Sequence, residues 1–186
     1  LEEGHWAYPF VESAVAKGIM AGKGTTEDGA VVFDPFTELT REQLAQILYN
    51  VELVENGTVE ITGECPFSDV VAGEWYEKAV TWAAENNIVS GYLDGTFGVG
   101  KFIERREVAT MLYNYAKYKE YDVTQTADLS RFVDVDQVGW AEPYMTWAVG
   151  AEVMSGQAGG VLNPQGTADR ATAATMITNF LNSYGK

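Results

Sequence analysis

Three arginines, Arg41, Arg105 and Arg170, occupy the same place in three similar stretches of chain. Each lies eight residues after a bulky apolar residue (Phe33, Phe97 or Leu162), and each has a glycine (Gly22, Gly91 or Gly156) and a tryptophan (Trp6, Trp75 or Trp140) upstream. Tryptophan and glycine are sixteen residues apart every time. A guanidinium forms charge-assisted hydrogen bonds to a carboxylate or phosphate worth about 1.5–3 kcal/mol each. An indole face can stack on a sugar ring, and glycine lets a ligand approach the backbone closely. The combination reads as a recognition site for a ligand that carries both a negative charge and a ring.

Each part of the set has a plainer alternative. Arg41, Arg105 and Arg170 can pair with acids of the same chain, such as Asp69 or Asp134 upstream of them. Such an internal carboxylate can also orient an arginine toward an external one. The tryptophans can staple a helix start to the core. The glycines can close a helix in the left-handed region.

Helices must position these residues. Phe10, Val11, Ala14 and Val15 repeat as Ala79, Val80, Ala83 and Ala84, and again as Tyr144, Met145, Ala148 and Val149. This spacing predicts a first amphipathic helix per unit, over about Tyr76 to Asn87 in copy two. A second helix starts beside each arginine. Its apolar face is Leu44, Ile47, Leu48 and Val51, then Val108, Met111, Leu112 and Tyr115, then Ala173, Met176, Ile177 and Phe180. Thr40 and Asp169 are suitable N-caps, and Thr40 with Gln43 has the capping-box pattern. Arg41 and Arg170 then become first helical residues, where a cation opposes the helix dipole by about 0.3–1 kcal/mol. The same helix start offers N–H groups to an anion.

Asp94-Gly95, Gly159-Gly160, Asp34-Pro35 and Asn163-Pro164 mark the loops between the two helices. The first loop is five residues longer, around Thr25 to Asp28. One narrow apolar face per unit cannot be buried alone, but three can bury one another. We expect a single domain over 1–186, with repeats at 1–56 (its first part missing), 66–118 and 131–184. Glu52 to Pro66 and Lys117 to Arg131 read as polar connectors over the surface.

Composition narrows the partner. The formal net charge is −15, which opposes nucleic acid and anionic membrane alike. No apolar run reaches the roughly 18–20 residues needed to span a bilayer. Cys65 is the only cysteine and His5 the only histidine. No Ser–His–Asp pattern, His-Glu-x-x-His pattern or phosphate loop occurs. Asp134-Val135-Asp136 lacks the glycine and the twelfth-position acid of a calcium loop. No enzyme, no metal and no cofactor are expected. The stretch Leu1-Glu2-Glu3-Gly4 is not a signal peptide, so export needs a signal outside these residues.

Phe67-Ser68-Asp69-Val70, Trp75, Ile88-Val89-Ser90-Gly91-Tyr92, Asp94-Gly95-Thr96-Phe97 and Arg105 together resemble one S-layer homology repeat. Phe132-Val133-Asp134-Val135, Trp140, Gly156 and Arg170 resemble a second; Trp6, Gly18 to Gly22 and Leu39-Thr40-Arg41-Glu42 resemble a third. Copy two departs from the family's Thr-Arg-Ala-Glu motif with Glu104 for threonine, and copy three with Thr172 for the acid. The resemblance implies an all-α fold with pseudo-threefold symmetry around a central three-helix bundle. It implies a secreted, cell-surface location and binding of secondary cell wall polysaccharide, often pyruvylated, in grooves between repeats. A pyruvate ketal presents a carboxylate beside a sugar face, which matches arginine and tryptophan together. The alternative is a protein–protein or self-assembly module that contacts other surface proteins.

Overall fold

The computed structural model describes Leu1 and residues 3–184; Glu2, Gly185 and Lys186, within the expected 1–186 span, lie outside the described residues. The chain is mostly helical. It runs α1 (Tyr8–Ala16), β1 (Gly24–Thr25), β2 (Val31–Val32), α2 (Arg41–Asn56), α3 (Glu77–Glu85), α4 (Arg105–Tyr118), α5 (Glu142–Gly150) and α6 (Arg170–Tyr184). Each unit is a short helix, a loop and a longer helix.

The strands depart from the all-α expectation. The extra residues of the first loop fold back as an antiparallel pair, Gly24 against Val32 and Thr25 against Val31. Gly29, with φ 85°, makes the turn, and the Thr26 hydroxyl accepts from the Ala30 N–H at 3.0 Å. The insertion is too short for a helix and long enough to pair with itself.

The second helix of every unit packs on the first helix of the next: α2 on α3, α4 on α5, and α6 on α1. The twelve apolar positions that define the second-helix faces are all buried, in one core shared by the three units. A ring of backbone hydrogen bonds ties the helix starts together. Leu39 N–H donates to Ala168 O, Ala168 N–H to Ile103 O, and Ile103 N–H to Leu39 O, at 2.8, 2.9 and 2.8 Å. Each extended segment before a long helix therefore takes its partner from a different unit.

The first helices are shorter than their pattern. α3 ends at Glu85 because Asn87 turns the chain into the left-handed region at φ 56°, as Gly18 and Glu152 do in the other copies. The connectors are also less superficial than their polarity suggests. α2 continues to Asn56, which places Glu52 inside a helix and nearly fully buried. Val59, Ile61, Cys65, Tyr121, Val123 and Ala127 lie against the core, and Leu129 is buried in it. Glu85 accepts from the Thr62 and Gly63 N–H groups, strapping the first connector to α3.

Glu52 is the anchor at this end of the molecule. Its carboxylate accepts from the Tyr115 hydroxyl at 2.6 Å, the Lys119 ammonium at 2.7 Å and the Asn56 amide at 2.6 Å. Burial and the neighbouring Glu52 both raise the Tyr115 phenol, keeping it a neutral donor. Burial alone lowers the Lys119 ammonium, but its bonds to Glu52 and Glu55 outweigh that and raise it. Removing the acceptor strands a buried hydroxyl, which costs about 1–3 kcal/mol. Glu52→Ala is expected to lower unfolding stability by that amount in urea titration, with the denaturant slope unchanged.

Candidate functional site

The three arginines are the first residues of α2, α4 and α6. They are only 7, 4 and 8% exposed. Their main bonds run to carbonyl oxygens of the next unit. Arg41 donates from Nε to Phe97 O (3.0 Å) and from Nη2 to Ser90 O (3.3 Å). Arg105 donates to Leu162 O (3.1 Å) and Ser155 O (2.9 Å). Arg170 donates to Phe33 O (2.9 Å) and Ala21 O (2.6 Å). The acceptors are the bulky apolar residue and the residue before the marker glycine. Each arginine thus clamps the neighbouring unit's loop at two points, which offsets its unfavourable place on the helix dipole.

The first amide of each long helix is not free for an anion, nor is the second in α4 and α6. Arg41, Arg105 and Arg170 donate their N–H groups to Lys101 O, Gly166 O and Thr37 O, and Arg106 and Ala171 donate to Pro164 O and Pro35 O. The guanidinium groups are the cations at these helix starts. Here the three differ. Arg41 pairs through Nη1 with Glu107 of the next unit and lies 5.0 Å over the Tyr92 ring. Arg105 and Arg170 form no ion pair among the described residues, and their Nη1 atoms have no hydrogen-bond partner there. Burial lowers the Arg105 guanidinium from its ordinary value, against the opposing pull of Asp169 and Asp134. Burial lowers Arg170 as well, with Asp34 opposing.

Two clefts open beside these groups. The first, about 630 Å³, is lined by Arg41, by Ser90 to Leu93 and Glu107 of unit two, and by Trp140 of unit three. The second, about 390 Å³, is lined by Arg105, by Ser155, Gly156 and Thr172 of unit three, and by Trp6 of unit one. Each cleft draws on all three units. Arg41, Gly91 and Trp140 come together in one, and Arg105, Gly156 and Trp6 in the other. Arg170 reaches the carbonyl beside Gly22, while Trp75 packs its edge on Tyr76 at 5.2 Å.

Trp6, Trp75 and Trp140 are 57, 55 and 57% exposed. The stapling role falls instead to the next residues, Ala7, Tyr76 and Ala141, which are buried. The indoles stay more than half exposed, although the Arg106 guanidinium lies 5.4 Å over the Trp140 ring and the His5 ring 5.4 Å from Trp6. Gly22, Gly91 and Gly156 do not have positive φ; that cap belongs to Gly18, Asn87 and Glu152, four residues earlier. The marker glycines are needed for space. A Cβ on Gly91 would lie 2.5 Å from the Phe67 ring and 2.6 Å from Thr96 O, and one on Gly156 or Gly22 would overlap Phe132 or Val31.

Asp69 and Asp134 do not pair directly with an arginine. Asp69 accepts from the Phe97, Gly98 and Val99 N–H groups at 2.6, 2.8 and 2.8 Å. Asp134 accepts from Leu162 and Asn163 at 2.8 and 2.7 Å. They shape the loops whose Phe97 and Leu162 carbonyls hold Arg41 and Arg105. Three further positions escaped the sequence reading. Asn50, Asn114 and Asn179 each stand nine residues after an arginine, and Asn50 and Asn114 donate to Ile19 O and Ile88 O. Their shared spacing was the available signal. Tyr92 and Glu107 stood inside the matched motifs but were not singled out as site residues; neither recurs in another copy.

The S-layer homology domain model matches residues 2–45, 66–109 and 131–174, most of the chain and once in each unit. This chain belongs to the S-layer homology domain family. A cellulosome-anchoring protein of Acetivibrio thermocellus is 26% identical over 81% of this chain and 33% of its own length. An amylopullulanase of Thermoanaerobacterium thermosulfurigenes is 27% identical over 97% of the chain and 9% of its own length. S-layer protein EA1 of Bacillus anthracis is 29% identical over 64% and 13%. The chain thus spans a third or less of each of these relatives.

The S-layer homology loops give the protein a defined acid response. Burial raises the Asp69 and Asp134 carboxyls, but the amides donating to them outweigh it and hold both below the ordinary carboxylate range. A depressed folded-state value means stability that is full above the unfolded value, about 3.9, and is lost as pH falls through the folded value. Urea midpoints are expected to hold steady near neutrality and to drop below about pH 4. Asp69→Asn with Asp134→Asn should flatten that drop while lowering the neutral-pH midpoint.

Proposed function

We propose that this chain is a non-catalytic module that holds a secreted protein to the bacterial cell wall. It does so by gripping an anionic, pyruvate-bearing wall polysaccharide in clefts between neighbouring repeats. The observation that carries this reading is Arg105. A nearly buried guanidinium with no ion-pair partner among the described residues borders a cleft that also bears an exposed indole, Trp6. A ligand carboxylate supplies the missing charge, and a sugar ring supplies the flat face for the indole. The two carbonyl bonds already immobilise Arg105, so little side-chain freedom is lost on binding. The roles follow in kind: Arg41, Arg105 and Arg170 for the carboxylate, Trp6, Trp75 and Trp140 for stacking. Gly22, Gly91 and Gly156 keep the cleft-side backbone close, and Asp69 and Asp134 position the loops.

The relatives support anchoring. One is named for anchoring cellulosomes and one as an S-layer protein, while an amylopullulanase and an endoglucanase share the same stretch. A stretch common to unlike enzymes and to non-enzymes fits an attachment device better than a catalytic unit. The location is the bacterial cell surface.

We also propose that the three repeats form one domain with pseudo-threefold symmetry around a central bundle of α2, α4 and α6. The closed ring of Leu39, Ile103 and Ala168 and the head-to-tail arginine clamps support it. A repeat alone leaves its clamp and its ring bonds unmade, so calorimetry is expected to show one cooperative transition for the chain and none for an isolated repeat.

Titration with a wall disaccharide bearing a pyruvate ketal, and with its pyruvate-free form, tests the ligand. Binding of the first and loss of at least about tenfold with the second are expected, as one charge-assisted contact disappears. Equal binding of both forms overturns the carboxylate mechanism. Trp6→Ala should weaken the same titration without changing the melting temperature.

A further inference from the structure

A different cleft, about 450 Å³, opens at the far end of α2, between that helix, the first connector and the end of α3. It lies roughly 22 Å along the helix from Arg41. Asn56, Glu60, Trp82, Glu85, Asn86 and Tyr118 line it, and no arginine or lysine borders it among the described residues. Trp82 is 1% exposed, and its indole N–H has no hydrogen-bond partner among those residues. The one side-chain nitrogen or oxygen there that is both sealed from solvent and unpartnered is Thr40 Oγ1, so Trp82 Nε1 keeps an opening, on the cleft that Trp82 lines. Repeat three meets the same group internally. Trp147 stands at the equivalent position, and its N–H donates to the Tyr184 hydroxyl at 3.1 Å. Repeat two has Lys119 where repeat three has Tyr184. An ammonium accepts no hydrogen bond, and this one is drawn to Glu52 and Glu55 at 2.7 and 2.9 Å. The Trp82 donor is left facing the cleft.

The groups around it are acceptors. Asn56 and Asn86 donate to Glu52 Oε2 and Trp82 O at 2.6 and 2.8 Å, which leaves each side-chain oxygen without a donor among the described residues. Glu60 forms no ion pair among them, and Glu85 holds the connector amides. An anion entering here meets two carboxylates and no cation. An ammonium ion offers the indole N–H no acceptor. A hydroxyl does both: it accepts from Trp82 and donates to an amide oxygen or a carboxylate. The Tyr118 ring, 37% exposed and edge-on to Trp82 at 5.7 Å, adds a flat wall. We propose that this cleft is a second binding site, for a neutral sugar unit with free hydroxyls. It is separate from the arginine clefts and stands whether or not those take a carboxylate.

The chain has five tryptophans, so its indole N–H signals in a ¹H–¹⁵N spectrum can be followed singly once assigned through their side-chain couplings. The probes are glucose, N-acetylglucosamine, glucuronate and methylammonium, each added to about 20 mM, well above a millimolar dissociation constant. A saturable shift of the Trp82 signal is expected with at least one of the two neutral sugars, and none with glucuronate or methylammonium. Tyr118→Ala is expected to weaken that response at least about fivefold. Glu60→Ala, at an exposed position, is expected to weaken it too, and serves should Tyr118→Ala not fold. A Trp82 signal unmoved by both neutral sugars, one moved by glucuronate or methylammonium, or a response undiminished in the folded variants overturns the proposal. The pyruvylated disaccharide in the Arg105 cleft moves the Trp6 signal instead, so the two readings fail separately.

Discussion

The exchange of carbonyl oxygens between neighbouring repeats is the constraint on which the rest of the molecule depends. No repeat satisfies the first amide of its own long helix. The first amide of α2 is met by Lys101 O, that of α4 by Gly166 O and that of α6 by Thr37 O. The arginine at the same position returns the contact by holding the next repeat's loop at two carbonyls. A buried polar group without a partner is costly, so these bonds tie each repeat to its neighbour alongside the apolar faces. They explain a cation at the head of a helix, where the dipole alone would reject it.

The same device prepares a cleft. An arginine fixed through Nε and Nη2 keeps its remaining N–H groups in a set direction. The loop it grips is shaped by an aspartate of the same repeat, Asp69 or Asp134, that gathers successive backbone amides. The marker glycine lets the repeat's own phenylalanine lie against that loop. Structural and recognition roles are therefore layered on the same residues. Most of each arginine's hydrogen bonding is internal, and what distinguishes the clefts is the charge left over.

That remainder depends on single residues. Gln43, Glu107 and Thr172 occupy equivalent positions, and each helps begin a helix. Only the middle one brings a negative charge to a neighbour's guanidinium. Repeats that share a backbone plan can thus differ in electrostatics through a change that leaves the helix start intact. The strong overall acidity of the chain, −15, makes such local cations stand out from their surroundings.

Periodicity was enough to read the helices from the residues, because burial of an apolar stripe acts on spacing alone. All twelve second-helix positions named from their spacing are buried. The repeat, the loop insertion and the family were legible for the same reason: they are patterns along one dimension. Other features were not legible, because they arise from contacts between distant positions. The arginines were expected to face an acid or an external anion; Arg41 does meet Glu107, but all three also hold carbonyls, which leave no trace in side-chain identity. The glycines were read as caps or as points of close ligand approach, yet the cap lies four residues earlier; Gly91 and Gly156 make room for an aromatic ring and Gly22 for Val31. Glu52 was placed in a surface connector, although Tyr115 and Lys119, sixty-odd residues away, draw it into the core. Trp6 and Trp140 join clefts built around arginines of other repeats. Spacing determined which residues repeat and which face they share; only the closing of the chain on itself decided which repeat each one serves, because that is set by packing across repeats and not by order along the chain.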